Sequence, residues 1–492
     1  MSRSPHSTSP SVIPPSFFLD SAPASTHAPA STSSLVEEAR ALFIDSAADL
    51  MRRFGSARFY MRLWTPTLTL FAMVIGALVH RASLSRVTSL MATNIANGLP
   101  LAGKLASSLA FCKSTAGFAS ARARLPLTWL RHCFTRQAQR LHASAIPKIP
   151  DLCGLSFIIR VLDGTMINLR SVGSIARAFP PHSNQHGATY WCQMRVLVCM
   201  CLSTGLVLSL VVGNKYDSEL AQTVRLILFG FKDYPAVALS APVLWLGDAN
   251  FGVWAVAAAA RQMNQHCLVR MTPSRARKVL GRNLPSHDFD LRVEWCPTRH
   301  DSGRHVQRRA VAGRLICRHI HRPGFRVQTL LLFTTVDEAV ATSAQLVELY
   351  AARWRIELSL RHLKTQMGME LIEVKSPAMA KRELIVALMA YNLVRAVMLK
   401  SGATYEIDVW RLSFSKARDE LVCFIVAQFA GASTLEMALW RIANGKLPKR
   451  RKPRPAEPRA KRHRRETFPP LRGDRRLSRQ KLNPSDNPSS KS

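Results

Sequence analysis

A chain of 492 residues is too long for one small core and predicts two or three domains. Lys and Arg number 68 against 31 Asp and Glu, a net charge of +37 that repels itself unless a polyanion neutralises it, so nucleic acid is the first partner to consider. The tail from Lys446 to Ser492 holds 17 Lys and Arg against 4 acids, which leaves most of the excess upstream and favours a nucleic-acid channel over a mere basic tail.

Residues 1–35 are mostly Ser, Pro, Ala and Thr and predict a disordered segment. From 36 to 150 the pattern is helical, with Arg and Lys spaced among apolar residues; a DNA-binding domain and a helical domain with a merely solvated basic face both fit it. Leu63–Val79 is apolar enough to suggest a membrane span, but Thr65, Pro66, Thr67 and Thr69 interrupt it and favour a core helix. Between 151 and 400 apolar strands alternate with helices, which predicts an α/β domain with a sheet covered by helices. Phe157–Leu162 reads as a strand ending at Asp163-Gly164-Thr165. Gln193–Leu202 and Leu206–Val212 read as a hairpin around Ser203-Thr204-Gly205, which disposes of Val196–Val212 as a second span. Ser218–Phe229 reads as a helix opened by Asp217, Val243–Leu246 as a strand ending at Gly247-Asp248, and the alanines at 257–260 as part of a following helix. A β-rich insertion is expected over about 268–336, with strands at Leu291–Trp295, Ala310–Arg318 and Val327–Phe333, before a long helix from near Ala341. Residues 401–445 read as a C-terminal helical region and 446–492 as a disordered basic tail. The ten cysteines include no CxxC pair and no secretory leader opens the chain, so a reduced, cytoplasmic protein is expected, associated with the bacterial nucleoid and not with a membrane.

Asp163 and Asp248 each stand where an apolar strand gives way to a turn, the place where an α/β sheet presents ligand-binding groups. Either residue alone is as well explained as a turn former or helix cap. A third carboxylate comes from the helix after Ala341. At about 100° per residue, Tyr350, Arg353, Glu357 and Lys364 fall within one stripe about 60° wide, with Arg361 about 20° beyond Tyr350. Such a face suits phosphates and a metal. It equally suits an exposed face carrying an Arg353–Glu357 i,i+4 ion pair, and spacing alone does not choose. Cys317, His319 and His321 alternate on one strand face, but zinc there lacks a fourth ligand at matching spacing.

The spacing Tyr350-(2)-Arg353-(3)-Glu357-(6)-Lys364 resembles the signature of the transposases of insertion sequence family four, within the DDE group. Asp163-Gly164-Thr165 resembles that family's first catalytic motif and Gly247-Asp248-Ala249-Asn250-Phe251-Gly252 its second, with Ala249 where a polar or basic residue is expected. The hairpin from Arg195 to Gly213 and then Glu219 is similar to the segment between them, so the resemblance spans about 155–398. It implies a ribonuclease-H-like mixed sheet flanked by helices, a β-rich insertion before the last catalytic helix, and a helical N-terminal domain. It also implies two Mg²⁺ ions, replaceable by Mn²⁺, held by Asp163, Asp248 and Glu357 for cleavage at transposon ends and strand transfer. Tyr350, Arg353, Lys364 and Arg361 would hold phosphates, and Trp295 is a counterpart of a Trp that stacks on a flipped base in the relatives. Terminal inverted repeats, target DNA and a second copy of the chain are the partners implied. A nuclease that does not join strands and a DNA-binding descendant without catalysis share many of these features; a basic membrane-surface protein is a weaker rival.

Overall fold

The computed structural model describes residues 50, 52, 63–79, 82–96, 114–145, 152–184, 187–231, 241–299, 301, 305–321, 327–428 and 435–447. The segment 1–35 and all but the start of the basic tail lie outside the described residues.

Helices α1 (Pro66–Leu78), α2 (Leu84–Ala96), α3 (Thr115–Arg124) and α4 (Leu127–Ala145) precede the sheet. Pro66 at the first position and the Thr65 hydroxyl, accepting from Leu68 N at 3.3 Å, start α1 where the sequence suggested a core helix. The next elements are β1 (Ile158–Leu169), α5 (Gly173–Ala178), β2 (Pro181–Asn184), β3 (Gly187–Cys201), β4 (Val207–Gly213), α6 (Glu219–Phe229), β5 (Val243–Gly247), α7 (Trp254–Gln262) and β6 (His266–Arg270). The sheet core runs β4-β3-β1-β5-β6, antiparallel between the first three strands and parallel from β1 to β6. The sheet is mixed and flanked by helices, as the motifs implied.

Three local readings need correction. The first strand does not end at Asp163-Gly164-Thr165 but continues through it to Leu169, held by its pairing with β3. Ser218, not Asp217, caps α6, its hydroxyl accepting from Ala221 N at 3.3 Å; Asp217 instead closes the preceding turn by accepting from Asn214 N at 2.7 Å. Leu268, placed by sequence at the start of the insertion, lies inside β6, which pairs in parallel with β5 and so belongs to the core sheet. The inserted segment contributes α8 (Pro273–Leu280) and the antiparallel strands β7 (Phe289–Trp295), β8 (Val311–Ile320) and β9 (Gln328–Thr334), and β9 joins the edge of β6.

After the insertion come α9 (Ser343–Ala351), a 3₁₀ turn (Ala352–Trp354), α10 (Arg355–Arg361), a π turn (His362–Gln366), β10 (Leu371–Ile372), α11 (Pro377–Thr404), α12 (Phe414–Gln428) and α13 (Leu435–Ala443). Side chains alternate along β1 and divide the core. Ile159, Val161, Ile167 and Leu169 face a cluster shared with α1, α4, α9, α10 and α11, whereas Ile158 and Leu162 face a second cluster under α6, α7 and the inserted strands. Helix α11 is long and apolar enough to cross a membrane, but 83% of its apolar window is buried within the fold. Its polar residues pin the β3–β4 hairpin. Asn392 bonds both Val207 N and Val207 O at 2.9 Å, Tyr391 donates to Gly205 O, and Arg395 donates to Thr204 O at 2.7 Å. Gly205, at φ 71°, has no room for a Cβ against the Arg395 guanidinium.

Candidate active site

Asp163 lies midway along β1, and Asp248 follows the last residue of β5. Val161 pairs with Leu246 in parallel register, so the two acids emerge two residues later from neighbouring strands. Each strand is covered on both faces up to that point and apolar there except for the buried Arg160 of β1, and each acid occupies the first position where cover ends. The Asp163 Oδ1 accepts from Gly164 N at 2.9 Å, and Asp248 Oδ1 accepts from Asn250 N at 2.8 Å.

Helix α10, which carries the exposed Glu357 near its start, packs against β1 from the face on which Asp163 projects. Asp163, Thr165, Glu357, Leu360, Arg361 and Lys364 line one open cavity of about 290 Å³, together with Thr365 and Glu370. Burial pushes the Asp163 carboxyl up to about 6; Arg353 opposes the rise, Asp248 adds to it, and Glu357 adds a smaller share. Three carboxylates therefore feel one another, and Arg353 is the cation beside them. Its Nη2 is 2.6 Å from Glu357 Oε1, the i,i+4 pair that the sequence offered as the plainer reading of this face. Asp248 stands beside this cavity without lining it. Among the described residues no three Asp, Glu, His or Cys side chains converge closely enough to grip one ion.

The remaining expected residues divide. Arg361 and Lys364 reach the cavity. Tyr350 is buried, and its hydroxyl points at Gly247 O at 3.4 Å, so it braces the end of β5 instead of facing solvent as a phosphate contact would. Trp295 is the clearest correction. Its side chain is 7% exposed in the second core cluster, with its ring 4.7 Å from that of Phe333, so its faces are not presented to a base. Cys317 is buried in the same cluster and His319 Nδ1 sits 2.8 Å from Asp288 Oδ1.

Several residues at the site escaped the sequence reading. Glu370 arrives through β10, whose two residues pair with Asn168 and Leu169 of β1 and are too few to display a period. Arg275 of α8 donates to Ala249 O at 2.6 Å and to Gly252 O at 3.2 Å, so a cation from the insertion steadies the loop in which Ala249 departs from the motif. Glu219, which the resemblance names without a role, is in the first turn of α6 and accepts from Asn250 Nδ2 at 2.7 Å. The π turn carrying Lys364 is held from behind: His362 stacks on Phe414 at 4.6 Å, and Arg418 donates to Gln366 O. Burial and the nearby Arg395 and Arg361 push the His362 imidazole down to about 4, so it packs as a neutral ring.

Residues 156–393 match the family model described as a transposase DDE domain. The chain is similar to the transposase InsG for insertion sequence element IS4 of Escherichia coli (strain K12), with 26% identity over 302 residues. That match covers 60% of this chain and 64% of the relative. Among solved structures it is similar to the piggyBac transposase synaptic complex with hairpin DNA, seen by cryo-EM, at a TM-score of 0.43 and 11% identity over 84% of this chain and 85% of that one.

Proposed function

We propose that residues 156–393 form a DDE transposase domain of the insertion sequence family four kind and that the chain is a divalent-metal-dependent DNA transposase. The single observation that carries this reading is the cavity that Asp163 shares with Glu357, Arg361 and Lys364, with Asp248 in electrostatic range of Asp163 at the end of the neighbouring strand. The donor set suits a hard cation: three carboxylates, one of them disfavoured as an anion until positive charge comes near. Asp163, Asp248 and Glu357 would hold Mg²⁺, two ions in all and replaceable by Mn²⁺. When bound, such ions lower the pKa of an attacking water or 3′ hydroxyl and neutralise the leaving oxygen.

The other side chains position the strand. Arg361 and Lys364 grip phosphates along the open cavity, while Tyr350 and Arg353 fix the end of β5 and the Glu357 carboxylate. The net charge of +37 supports DNA as partner, both the element's terminal inverted repeats and a target, and holding two ends at once favours a homodimer. The helices over 66–145 and the basic tail are further DNA-contacting regions in this reading.

The test uses the purified full chain, Mg²⁺ and a DNA carrying the inverted repeats that flank its coding sequence. Nicking at the repeat ends and joining of the freed 3′ ends to a plasmid are expected, and Glu357→Gln abolishes both. Cleavage without joining would leave only a nuclease. Persistence of both steps in Glu357→Gln would remove Glu357 from the chemistry.

A further inference from the structure

We propose that Glu219 is a positioning residue that locks the two aspartate motifs together from the face of the sheet opposite the cavity. Gly164 follows Asp163 on β1, so its side-chain direction is the reverse of Asp163's. Lacking a Cβ, Gly164 lets the Glu219 carboxylate lie directly against its backbone; a Cβ there would overlap Glu219 Oε1. The other oxygen, Oε2, accepts from Asn250 Nδ2 at 2.7 Å, and the Asn250 backbone N–H donates to Asp248 Oδ1 at 2.8 Å. Gly164 N in turn donates to Asp163 Oδ1 at 2.9 Å. One carboxylate thus touches the residue that orients Asp163 and the residue that orients Asp248.

The anchor is rigid. Glu219 is in the first turn of α6, which Ser218 caps and whose apolar side packs in the second core cluster against α7. Arg195 of β3 stands in electrostatic range of Glu219 and is tied to the same turn through its bond to Asp217 O at 2.8 Å. Glu219 does not line the cavity that holds Asp163 and Glu357. One of its oxygens lies against Gly164 and the other holds the Asn250 amide, so it acts on the spacing of the aspartates through those two residues. Partners of this outer kind cost about 10- to 100-fold in metal affinity or activity when removed.

This inference rests on the transposase reading, and the experiment separates the two. Mn²⁺ binding to the full chain without DNA is followed by electron paramagnetic resonance, and nicking of repeat-end DNA supplies kcat and KM. Glu219→Ala is expected to weaken Mn²⁺ binding and lower kcat by about 10- to 100-fold while KM for DNA holds, because the cavity cations are untouched. Glu219→Gln keeps an oxygen for the Asn250 amide and stays near wild type in both readouts. Asn250→Ala reproduces Glu219→Ala, and the double variant is no worse than either, as expected for one connected unit. If Glu219→Ala misfolds, the Asn250→Ala and Glu219→Gln arms still decide. Wild-type metal binding in Asn250→Ala, or an equal loss in Glu219→Gln, would overturn the positioning role. A wild-type chain that neither binds Mn²⁺ nor nicks would overturn the transposase reading and this inference with it.

Discussion

Replacing Asp163 with Asn should stabilise the protein in the absence of divalent ions. Burial raises the Asp163 carboxyl from 3.8 to about 6, so its ionised form is the disfavoured one in the fold. An acid with a raised folded pKa contributes stability that is present below the unfolded value and is lost as pH rises through the folded value. The loss here falls between about pH 4 and pH 6 and persists above. A rise of about two units corresponds to about 3 kcal/mol, an upper figure because Asp248 and Glu357 share the titration. Asn is nearly isosteric, and its Oδ1 still accepts from Gly164 N. Asp163→Asn should then exceed wild type by about 1–3 kcal/mol at pH 8, with the gap closing as pH falls through 6 toward 4. Divalent ions should reverse the order. An ion at 100 times its Kd stabilises the wild type by about 2.7 kcal/mol, and the variant, missing a central ligand, gains little. Urea unfolding at several pH values, in chelator and in Mn²⁺, measures both effects. A variant less stable than wild type at pH 8 in chelator, or a gap independent of pH, would mean that Asp163 is a well-satisfied anion and refute the argument.

Three further outcomes follow from single contacts. Lys364→Ala and Arg361→Ala should each weaken DNA binding across sequences and reduce the slope of log affinity against log salt by about one, measured by fluorescence anisotropy at several salt concentrations. Trp295→Ala should cost about 3–5 kcal/mol of stability through the cavity left against Phe333, while leaving that salt slope unchanged; a lowered slope in a fully stable variant would return Trp295 to the DNA interface. Asp290 pairs with Arg314, whose side chain is 4% exposed and whose Nη1 also donates to Ala341 O at 2.8 Å just before α9. Asp290→Ala strands that guanidinium and should cost about 3–5 kcal/mol in urea unfolding, with a cost below 1 kcal/mol counting against a buried pair.

The parts of this fold that were legible in the sequence are those in which burial leaves a local pattern. β5 and the first half of β1 are covered on both faces, so β5 reads as an unbroken apolar run ending at an acid and β1 as one broken only by the buried Arg160. The β3–β4 turn announced itself through Ser203-Thr204-Gly205, and the left-handed Gly205 supports that reason. What escaped was set by partners distant along the chain. β10 is a strand only because β1 extends beyond its pairing with β5 and offers Asn168 and Leu169. Only the resemblance offers Trp295 as a base-stacking residue, and strand alternation turns it into the core while Glu294 faces out. Glu219 enters the sequence reading only as part of the segment between the two aspartate motifs, and the meeting of α6 with Gly164 and Asn250 is what suggests a role for it.

The helix bearing Glu357 marks the boundary between the two kinds of feature. A constant step of about 100° places Tyr350, Arg353, Glu357 and Lys364 on one stripe. The chain departs from that step twice, tightening into a 3₁₀ turn at Ala352–Trp354 and loosening into a π turn at His362–Gln366. A 3₁₀ turn advances about 120° per residue and a π turn less than an α-helix, so the two errors have opposite sign. Glu357 and Lys364 consequently still line one cavity, although neither lies on a regular helix with Tyr350. Tyr350, ahead of the first irregularity, turns inward to Gly247 O, and Arg353, within it, turns to Glu357. We therefore assign the strand-gripping role to Arg361 and Lys364 and a bracing role to Tyr350 and Arg353. A spacing signature of this kind identifies which residues act together, but the irregular turns decide which of them meet the substrate.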